Sequence, residues 1–356
     1  MIESLTMKNF KSIKDLTIDC KRINLFIGEP NTGKSNILEA LGFLSWLNYA
    51  KVAPKKTDPS EPPKYFNLPQ PYYPRLFDFL RFLGVQDIFY DGLIDDKIVI
   101  SSKKKNKETG IELKLMGNSF IIDKKGEKSG KKNESQQVVT LDFIGDVIDT
   151  LAPIDDFSTI KFYKFLKKQF SFPHNTSSYL LPPFGSNLFS LVMGNKKLRE
   201  IMTRFYQESG LTLVLKPQHM AFEIQTKKED LVFSYPYISL SDTLQRILFH
   251  LMAIESNVDS TLVFEEPESY AFPYFTKYLG ERIALDDSNQ YFISTHNPYM
   301  LQSILEKADK QSTHVFVTYS DDFQTKVKLL NSSQVSEILD SDPFFNLDAF
   351  IERDGQ

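Results

Sequence analysis

The chain has 356 residues, of which 41% are hydrophobic and 25% are charged, and its formal net charge is −4. This composition excludes disordered, collagen-like and disulfide-rich proteins and allows one large or two ordinary domains. Cys20 is the single cysteine, which excludes an internal disulfide and a cysteine-based zinc cluster. The N-terminus lacks the layout of a secretory signal, and the longest apolar stretch, about 14 residues over 37–50, is too short to span a bilayer. We therefore expect a cytoplasmic protein.

The predicted elements begin with strand-like alternation that ends in an apolar run over 23–27, followed by a helix over 34–48 and a proline-rich crossing over 54–74. Further helices are predicted over 75–82, 158–169 and 195–207, and short strands over 98–100, 111–116, 120–123, 211–215, 221–225 and 231–234. After Thr243 the order is helix, strand 261–264, helix 272–285, strand 290–294, helix 298–308 and strand 314–318. This alternation predicts a doubly wound, mostly parallel sheet whose first strand lies far upstream.

A phosphate-binding loop (P-loop) is the most specific motif. The sequence GEPNTGKS is a complete G-x-x-x-x-G-K-S between an apolar strand and a helix. Its glycines allow backbone amides to face a polyphosphate, its lysine reaches the β- and γ-phosphates, and its serine hydroxyl ligates Mg²⁺. The alternative is a chance match in a turn. We predict binding of ATP and Mg²⁺ by this loop and the residue after it: Gly28, Glu29, Pro30, Asn31, Thr32, Gly33, Lys34, Ser35 and Asn36.

An acidic strand follows much later, with the sequence TLVFEEPE. Carboxylates at the C-terminal end of a strand lie where open α/β sheets bind their ligands. Glu265 is predicted to support the metal, and Glu266 to orient or deprotonate the attacking water. The alternative is a helix N-terminus, with Pro267 in its first turn and glutamates favoured by the helix dipole.

A histidine ends the next apolar run, YFISTHNP. We predict that His296 lies at the same sheet edge and hydrogen-bonds the γ-phosphate or the attacking water. The polar residues around it also fit a helix cap, and the two interpretations are compatible.

Together these motifs resemble ABC-type ATPases of the RecF/SMC kind, and most closely the ATPase part of OLD-family (overcoming lysogenisation defect) nucleases. The phrases LTMKNFKSI, GEPNTGKS, FEEPES and STHNP carry the resemblance and span most of the chain. It implies an α/β P-loop NTPase of the ABC type, with N-terminal antiparallel strands, a mostly parallel core sheet and an inserted β/helical lobe. It also implies catalytic roles for Lys34, Glu266 and His296.

The resemblance implies a homodimer in which two ATP molecules lie between the subunits, each site completed by a signature loop of the partner. Here that loop is SLSDTLQR, and Ser241 is expected at the γ-phosphate. No glycine follows Ser241, so a simple helix cap is the alternative. Glu265 stands where this family usually has Asp. Only 60 residues follow His296, too few for the Toprim domain of OLD proteins, so no nuclease activity is expected.

Three parts of the chain are predicted. Residues 1–50 form the N-terminal strands, P-loop and first helix of the ATPase core, 51–235 the inserted crossing with a Lys-rich β lobe and a helical lobe, and 236–356 the rest of the core. Segment 97–132 holds eleven lysines against four carboxylates, a net +7, which leaves −11 elsewhere. This segment is either a solvated sheet edge or an arm that contacts DNA phosphates, in which Lys103, Lys104 and Lys105 would take part.

The leading hypothesis for function is a slow or partner-stimulated ATPase whose closure around Mg-ATP is coupled to DNA or to a separate effector protein, as in DNA repair or antiphage defence. Three alternatives remain: an ATP-binding scaffold with little hydrolysis, a transporter-type ATPase subunit, and a phosphotransferase acting on a small molecule. The transporter alternative is disfavoured because it predicts a glycine-containing signature and no Lys-rich insert. No membrane partner is therefore expected.

Overall fold

The structure is a computed structural model that describes residues 1–51, 74–105, 107–128, 131–152, 154–167, 177–340 and 347–351. Its strands are β1 (Ser4–Phe10), β2 (Ile13–Asp19), β3 (Ile23–Gly28), β4 (Ile98–Lys104), β5 (Lys107–Met116), β6 (Ser119–Lys128), β7 (Lys131–Leu141), β8 (Val147–Thr150), β9 (Ile160–Tyr163), β10 (Thr212–Lys216), β11 (Ala221–Lys228), β12 (Leu231–Pro236), β13 (Thr261–Glu265), β14 (Gln290–Ser294), β15 (Thr313–Asp321) and β16 (Gln324–Leu329). Its α-helices are α1 (Lys34–Leu47), α2 (Leu76–Phe79), α3 (Leu188–Gly194), α4 (Lys196–Gln207), α5 (Asp242–Ser256), α6 (Pro273–Ala284), α7 (Pro298–Lys307) and α8 (Ser332–Asp340).

One sheet is antiparallel, with strand order β2-β1-β4-β5-β6-β7-β8. Alternate residues of its strands, among them Leu5, Met7, Ile100 and Ile111, are fully buried, because successive side chains of a strand point to opposite faces. Strand β4 pairs with β1. The Lys-rich strands therefore extend the sheet of the N-terminal strands.

The second sheet has the order β16-β15-β3-β14-β13-β9, in which all neighbours are parallel except the β15–β16 hairpin. Layers cover both faces: Leu25 of β3 packs in the core that contains α3 to α7, and the next residue, Phe26, packs with α1 and the antiparallel sheet. This double coverage explains why β3 and β14 read as continuous apolar runs. The mostly parallel core sheet and the antiparallel N-terminal sheet agree with the sequence prediction.

Two predicted helices are wrong. Within 158–169, residues 160–163 form β9, whose four residues are all buried and which pairs with β13, so tertiary pairing overrode the helix-like spacing. The helix predicted over 75–82 is only the single turn α2, because Leu80 adopts an extended conformation with φ −119° and ψ 147°. The proline-rich crossing lies outside the described residues except for Pro74.

The helices of the described residues are short. The longest, α5, has 15 residues, and none of them has the length and apolar character needed to cross a membrane. The helices predicted after Thr243 are confirmed as α5, α6 and α7.

Candidate functional site

Three polar motifs follow neighbouring strands of the parallel sheet. The P-loop follows β3, Glu265 ends β13, and His296 follows β14, which lies between β3 and β13. Because the three strands are parallel, their carboxyl ends meet at one edge, where α/β sheets bind ligands. The fold thus brings the three predicted motifs to one edge of one sheet, which we call the carboxyl edge.

The loop between β3 and α1 requires its two glycines. Gly28 has a φ of +149°, and a Cβ there would lie 2.3 Å from the carbonyl oxygen of Thr318. Gly33 has a φ of +93°, and a Cβ there would lie 1.8 Å from Thr325 Oγ1. Residues 29–31 are exposed, and no side chain caps the N-terminus of α1. The first N–H groups of α1 therefore face an accessible loop and are suited to an anion.

Lys34 is only 5% exposed and folds back onto the loop. Its Nζ donates hydrogen bonds to the carbonyl oxygens of Gly28 at 2.9 Å and Glu29 at 2.6 Å. Burial lowers the pKa of Lys34 to about 8, although the nearby carboxylates of Glu266 and Glu29 act in the opposite direction. A bound phosphate would supply the negative charge that this buried ammonium lacks.

The other loop residues have different surroundings. Thr32 Oγ1 donates to the carbonyl oxygen of Glu29 at 2.9 Å and lies 2.8 Å from Thr318 Oγ1, so it links the loop to β15. Asn36 Nδ2 donates to Ser12 Oγ at 2.6 Å, away from the loop. Ser35 lies in the first turn of α1 and is partly exposed. Ser35 is therefore the better placed hydroxyl for a ligand.

Glu266 and His296 are in contact. His296 Nε2 lies 3.3 Å from Glu266 Oε1, and Ser269 Oγ donates to Glu266 Oε2 at 3.0 Å. The backbone of Glu266 has a φ of +42°, and its N–H donates to the carbonyl oxygen of Ser294 at 3.0 Å. Burial and the positive charge of Lys34 lower the pKa of His296, against the effect of Glu266, which favours the neutral imidazole. A carboxylate and a neutral imidazole here are suited to receive and relay a proton.

Glu265 contacts an arginine that the sequence analysis missed. Arg81 Nη2 lies 3.5 Å from Glu265 Oε1, and Arg81 Nε donates to Glu39 Oε1 at 2.6 Å. Glu39, on α1, is 1% exposed and also bonds the Lys11 ammonium. Arg81 follows the proline-rich crossing, and no local motif marks it, so only the fold reveals its place at the carboxyl edge.

Ser35 and Glu265 fit a magnesium ion, because both offer the hard oxygen donors that Mg²⁺ prefers. The described part of the chain contains no group of three or more His, Cys, Asp and Glu side chains that could hold a metal on its own. Magnesium in nucleotide sites commonly takes few protein ligands and completes its shell with phosphate oxygens and waters. Binding through Glu265 would require this carboxylate to turn from Arg81 toward the ion.

Ser241 caps a helix, as the alternative interpretation stated. Its Oγ accepts a hydrogen bond from the N–H of Leu244 at 3.3 Å, at the N-terminus of α5. Asp242 turns to Lys167 at 3.6 Å and to Arg246 at 3.8 Å. A cap residue at a helix N-terminus also lies where an anion binds, so a role at a partner's γ-phosphate stays a prediction.

The lysines of segment 97–132 are largely paired with carboxylates where the structure describes their side chains. The pairs are Lys97–Glu112, Lys125–Glu112, Lys114–Asp123, Lys107–Asp156 and Lys124–Asp156. Lys104 Nζ donates to Thr159 Oγ1 at 2.7 Å, and burial lowers its pKa, whereas Lys103 and Lys105 are exposed. Glu112 and Asp123 already enter the net +7 of this segment, and Asp156, which lies outside it, lowers that charge by only one.

Comparison with solved structures shows the fold. A Smc head bound to the C-winged helix domain of ScpA is 14% identical, with a TM-score of 0.50 over 94% of this chain and 99% of that chain. The Smc head domain of Pyrococcus furiosus bound to the C-terminal domain of ScpA is 12% identical, with a TM-score of 0.48 over 95% and 98% of the two chains. The first likeness supports the predicted α/β fold of ABC-type P-loop ATPases with an antiparallel N-terminal sheet.

Sequence comparison finds a curated relative over a short stretch and a family model over half of the chain. An ATP/GTP phosphatase of Helicobacter pylori is 49% identical over 45 residues, which are 12% of this chain and 12% of that protein. The match thus spans about an eighth of the length of this curated relative. The family model AAA_15, an AAA ATPase domain, matches residues 1–179, half of the chain and the whole P-loop region. The chain therefore belongs to the AAA_15 family of AAA ATPase domains.

Proposed function

We propose that this protein binds ATP with Mg²⁺ at the carboxyl edge and hydrolyses it to ADP and phosphate. The observation that carries the proposal is the contact of His296 with Glu266 at 3.3 Å, with the Lys34 ammonium close enough to lower the pKa of His296. A lysine for the phosphates, a carboxylate for the water and an imidazole beside it are the parts that phosphoryl transfer to water requires.

Each group has a defined part in the reaction. The amides of the loop and of the α1 N-terminus bind the phosphates, and Lys34 exchanges its two carbonyl partners for phosphate oxygens. Glu266 accepts the proton of the attacking water, and His296 orients that water or the γ-phosphate. Mg²⁺, held by Ser35 and Glu265, would neutralise charge on the phosphates.

A second copy of the chain completes the site in this proposal. Ser241 lies at the N-terminus of α5, and its neighbour Thr243 donates from Oγ1 to the carbonyl oxygen of Tyr270 at 2.9 Å, in the loop after the acidic strand. This bond ties the predicted signature loop to the loop that carries Glu266. Closure of a homodimer around ATP would then alter both loops. In a cytoplasmic OLD-like ATPase, this closure would be transmitted to DNA or to a separate effector protein.

The contact between Arg81 and Glu265 favours a second candidate, an ATP-binding scaffold with little hydrolysis. The guanidinium occupies one side of the carboxylate that would support the metal, and buried Glu39 fixes it there. If Arg81 stays in place after ATP binds, Mg²⁺ would be poorly coordinated and turnover would be slow. The two candidates differ only in turnover, not in nucleotide binding.

The test is turnover of ATP and GTP by the purified chain and by Glu266→Gln, with Glu229→Gln in the exposed β11–β12 turn as the matched control. We expect Glu266→Gln to lower turnover at least about a hundredfold while it retains ATP, and light scattering should show ATP-loaded dimers. Unchanged turnover in Glu266→Gln would contradict the assignment, and ATP binding without turnover in the unaltered chain would favour the scaffold.

A separate test concerns DNA. Stimulation of turnover by DNA that fades with salt, and that is reduced when Lys103 and Lys105 become Gln, would support an arm that contacts DNA phosphates.

A further inference from the structure

A third glutamate follows the acidic pair and has no role in the proposed reaction. Glu268 is 3% exposed and lies in the turn after β13. Its Oε1 accepts a hydrogen bond from the hydroxyl of Thr295, while its Oε2 has no hydrogen-bond partner among the described residues. Burial raises the pKa of Glu268 to about 7. A buried carboxyl with an unpartnered oxygen destabilises the fold, which points to another reason for its presence.

Thr295 connects three parts of the carboxyl edge. It is fully buried, and its N–H donates to the carbonyl oxygen of Phe26, in the strand that leads into the P-loop, at 3.1 Å. Its hydroxyl gives its single proton to Glu268 and accepts the N–H of Asn297 at 3.0 Å. Asn297 in turn caps α7 through Oδ1, which accepts from Tyr299 N at 2.9 Å. Glu268 thus accepts the proton of the same hydroxyl whose oxygen accepts the N–H of Asn297, so this chain of hydrogen bonds spans residue 296.

We propose that Glu268 is a positioning residue that holds His296 against Glu266 through Thr295. The inference rests on the proposed ATPase reaction and assigns a role to a residue that touches none of the reacting groups. His296 lies between Thr295 and Asn297, the two residues that this hydrogen-bond chain fixes. Without the acceptor, the Thr295 hydroxyl rotates toward another partner and its hydrogen bond with the N–H of Asn297 is lost. The His296 ring then moves from its place beside Glu266.

The kinetic test is a double-mutant cycle between Glu268→Leu and His296→Ala. We expect Glu268→Leu to lower kcat about tenfold to a hundredfold and to change ATP affinity less than about threefold, because the P-loop is untouched. In the His296→Ala background, Glu268→Leu should have less than about a twofold further effect, since it acts through the missing ring. Effects that multiply in full would overturn the proposal. Glu268→Gln and Thr295→Ser keep the acceptor and the hydroxyl and should retain most of kcat, whereas Thr295→Val should behave like Glu268→Leu.

An observation without nucleotide separates this inference from the proposed function. The ring-proton NMR signal of His296, identified by its loss in His296→Ala, should shift in Glu268→Leu and in Thr295→Val and remain in place in Thr295→Ser. A folded Glu268→Leu with an unchanged His296 signal would refute the positioning role even if the protein is an active ATPase. Conversely, absence of ATP turnover in the unaltered chain would refute the proposed function while the NMR signal still decides whether Glu268 positions the ring.

Discussion

The parallel sheet has one buried lysine at the carboxyl ends of its strands and another near their amino ends, and the surroundings of the two lysines differ. Lys34, at the carboxyl edge, is 5% exposed, and Lys161, on β9, is 6% exposed. Burial lowers the pKa of each to about 8. Lys161 donates to Asn257 and to Ser260, which precedes the amino end of β13, and lies 3.4 Å from the centre of the Tyr179 ring.

The difference lies in what can still approach each ammonium. Lys161 donates to two neutral side chains of the α5–β13 connection and has the Tyr179 ring over it, so its site is closed. Lys34 donates to two carbonyl oxygens and the Thr32 hydroxyl, all within the exposed, glycine-dependent P-loop, and the charge of Glu266 lies near it. A buried ammonium is thus a candidate ligand-binding group only where a ligand can reach it from solvent. Burial or a lowered pKa alone does not identify a ligand-binding lysine.

Lys34→Ala and Lys161→Met should separate the two lysines most strongly. We expect Lys34→Ala to weaken ATP binding at least about a hundredfold, because the loop loses the charge that meets the β- and γ-phosphates. Lys161→Met should leave ATP affinity within about twofold, since its site lies away from the loop. Equilibrium binding of a fluorescent ATP analogue measures both. Equal losses in the two variants would show that the comparison between open and closed sites is wrong.

Gly33→Ala tests whether the P-loop requires a glycine at this position. We expect the free energy of unfolding to fall by about 2–4 kcal/mol, because an alanine at a φ of +93° is strained and its Cβ would overlap Thr325. ATP binding should be lost as the loop shifts. Gly194→Ala is the matched control, because a Cβ there has nothing within 4 Å, and it should change stability by less than about 1 kcal/mol. Urea denaturation measures both, and a Gly33→Ala variant as stable as the control would contradict the requirement for glycine at this position.

Much of the carboxyl edge could be predicted because its residues lie in local motifs. The P-loop, the acidic pair and His296 each follow an apolar strand directly, so strand order alone brings them together. Arg81 could not be predicted in this way, because its contact with Glu265 depends on long-range packing against Glu39. The role proposed for Glu268 likewise depends on its burial and on Thr295, which no spacing in the sequence reveals.

Single elements were mispredicted or missed where a segment's conformation depends on its neighbours in the sheet. Strand β9 has four residues, and its pairing with β13 decides its conformation. Strands β7, β8 and β16 were not predicted either, and the β15–β16 hairpin supplies Thr318 and Thr325, which pack against the P-loop glycines. The pairing of the lysines in segment 97–132 likewise depends on the fold, because their carboxylate partners include Asp156, which lies beyond the segment.

The smallest expected effect concerns the pH dependence of stability at the closed site. The pKa of Lys161 is about 8 in the folded chain, against about 10.4 when unfolded, so between these values the unfolded state binds more protons. The free energy of unfolding should therefore rise with pH across this window, by about 2–3 kcal/mol from Lys161, and well below pH 8 the cost of burying the charge is constant. Lys161→Met should remove the Lys161 part of this rise and leave the part from Lys34, as chemical denaturation at pH 7.5 and pH 10 would show. Lys34 adds a similar rise in the free chain, but bound ATP stabilises its charged form and should suppress that part alone. A rise that ATP abolishes entirely would mean that Lys161 does not titrate in this window and that the two sites differ more than their burial indicates.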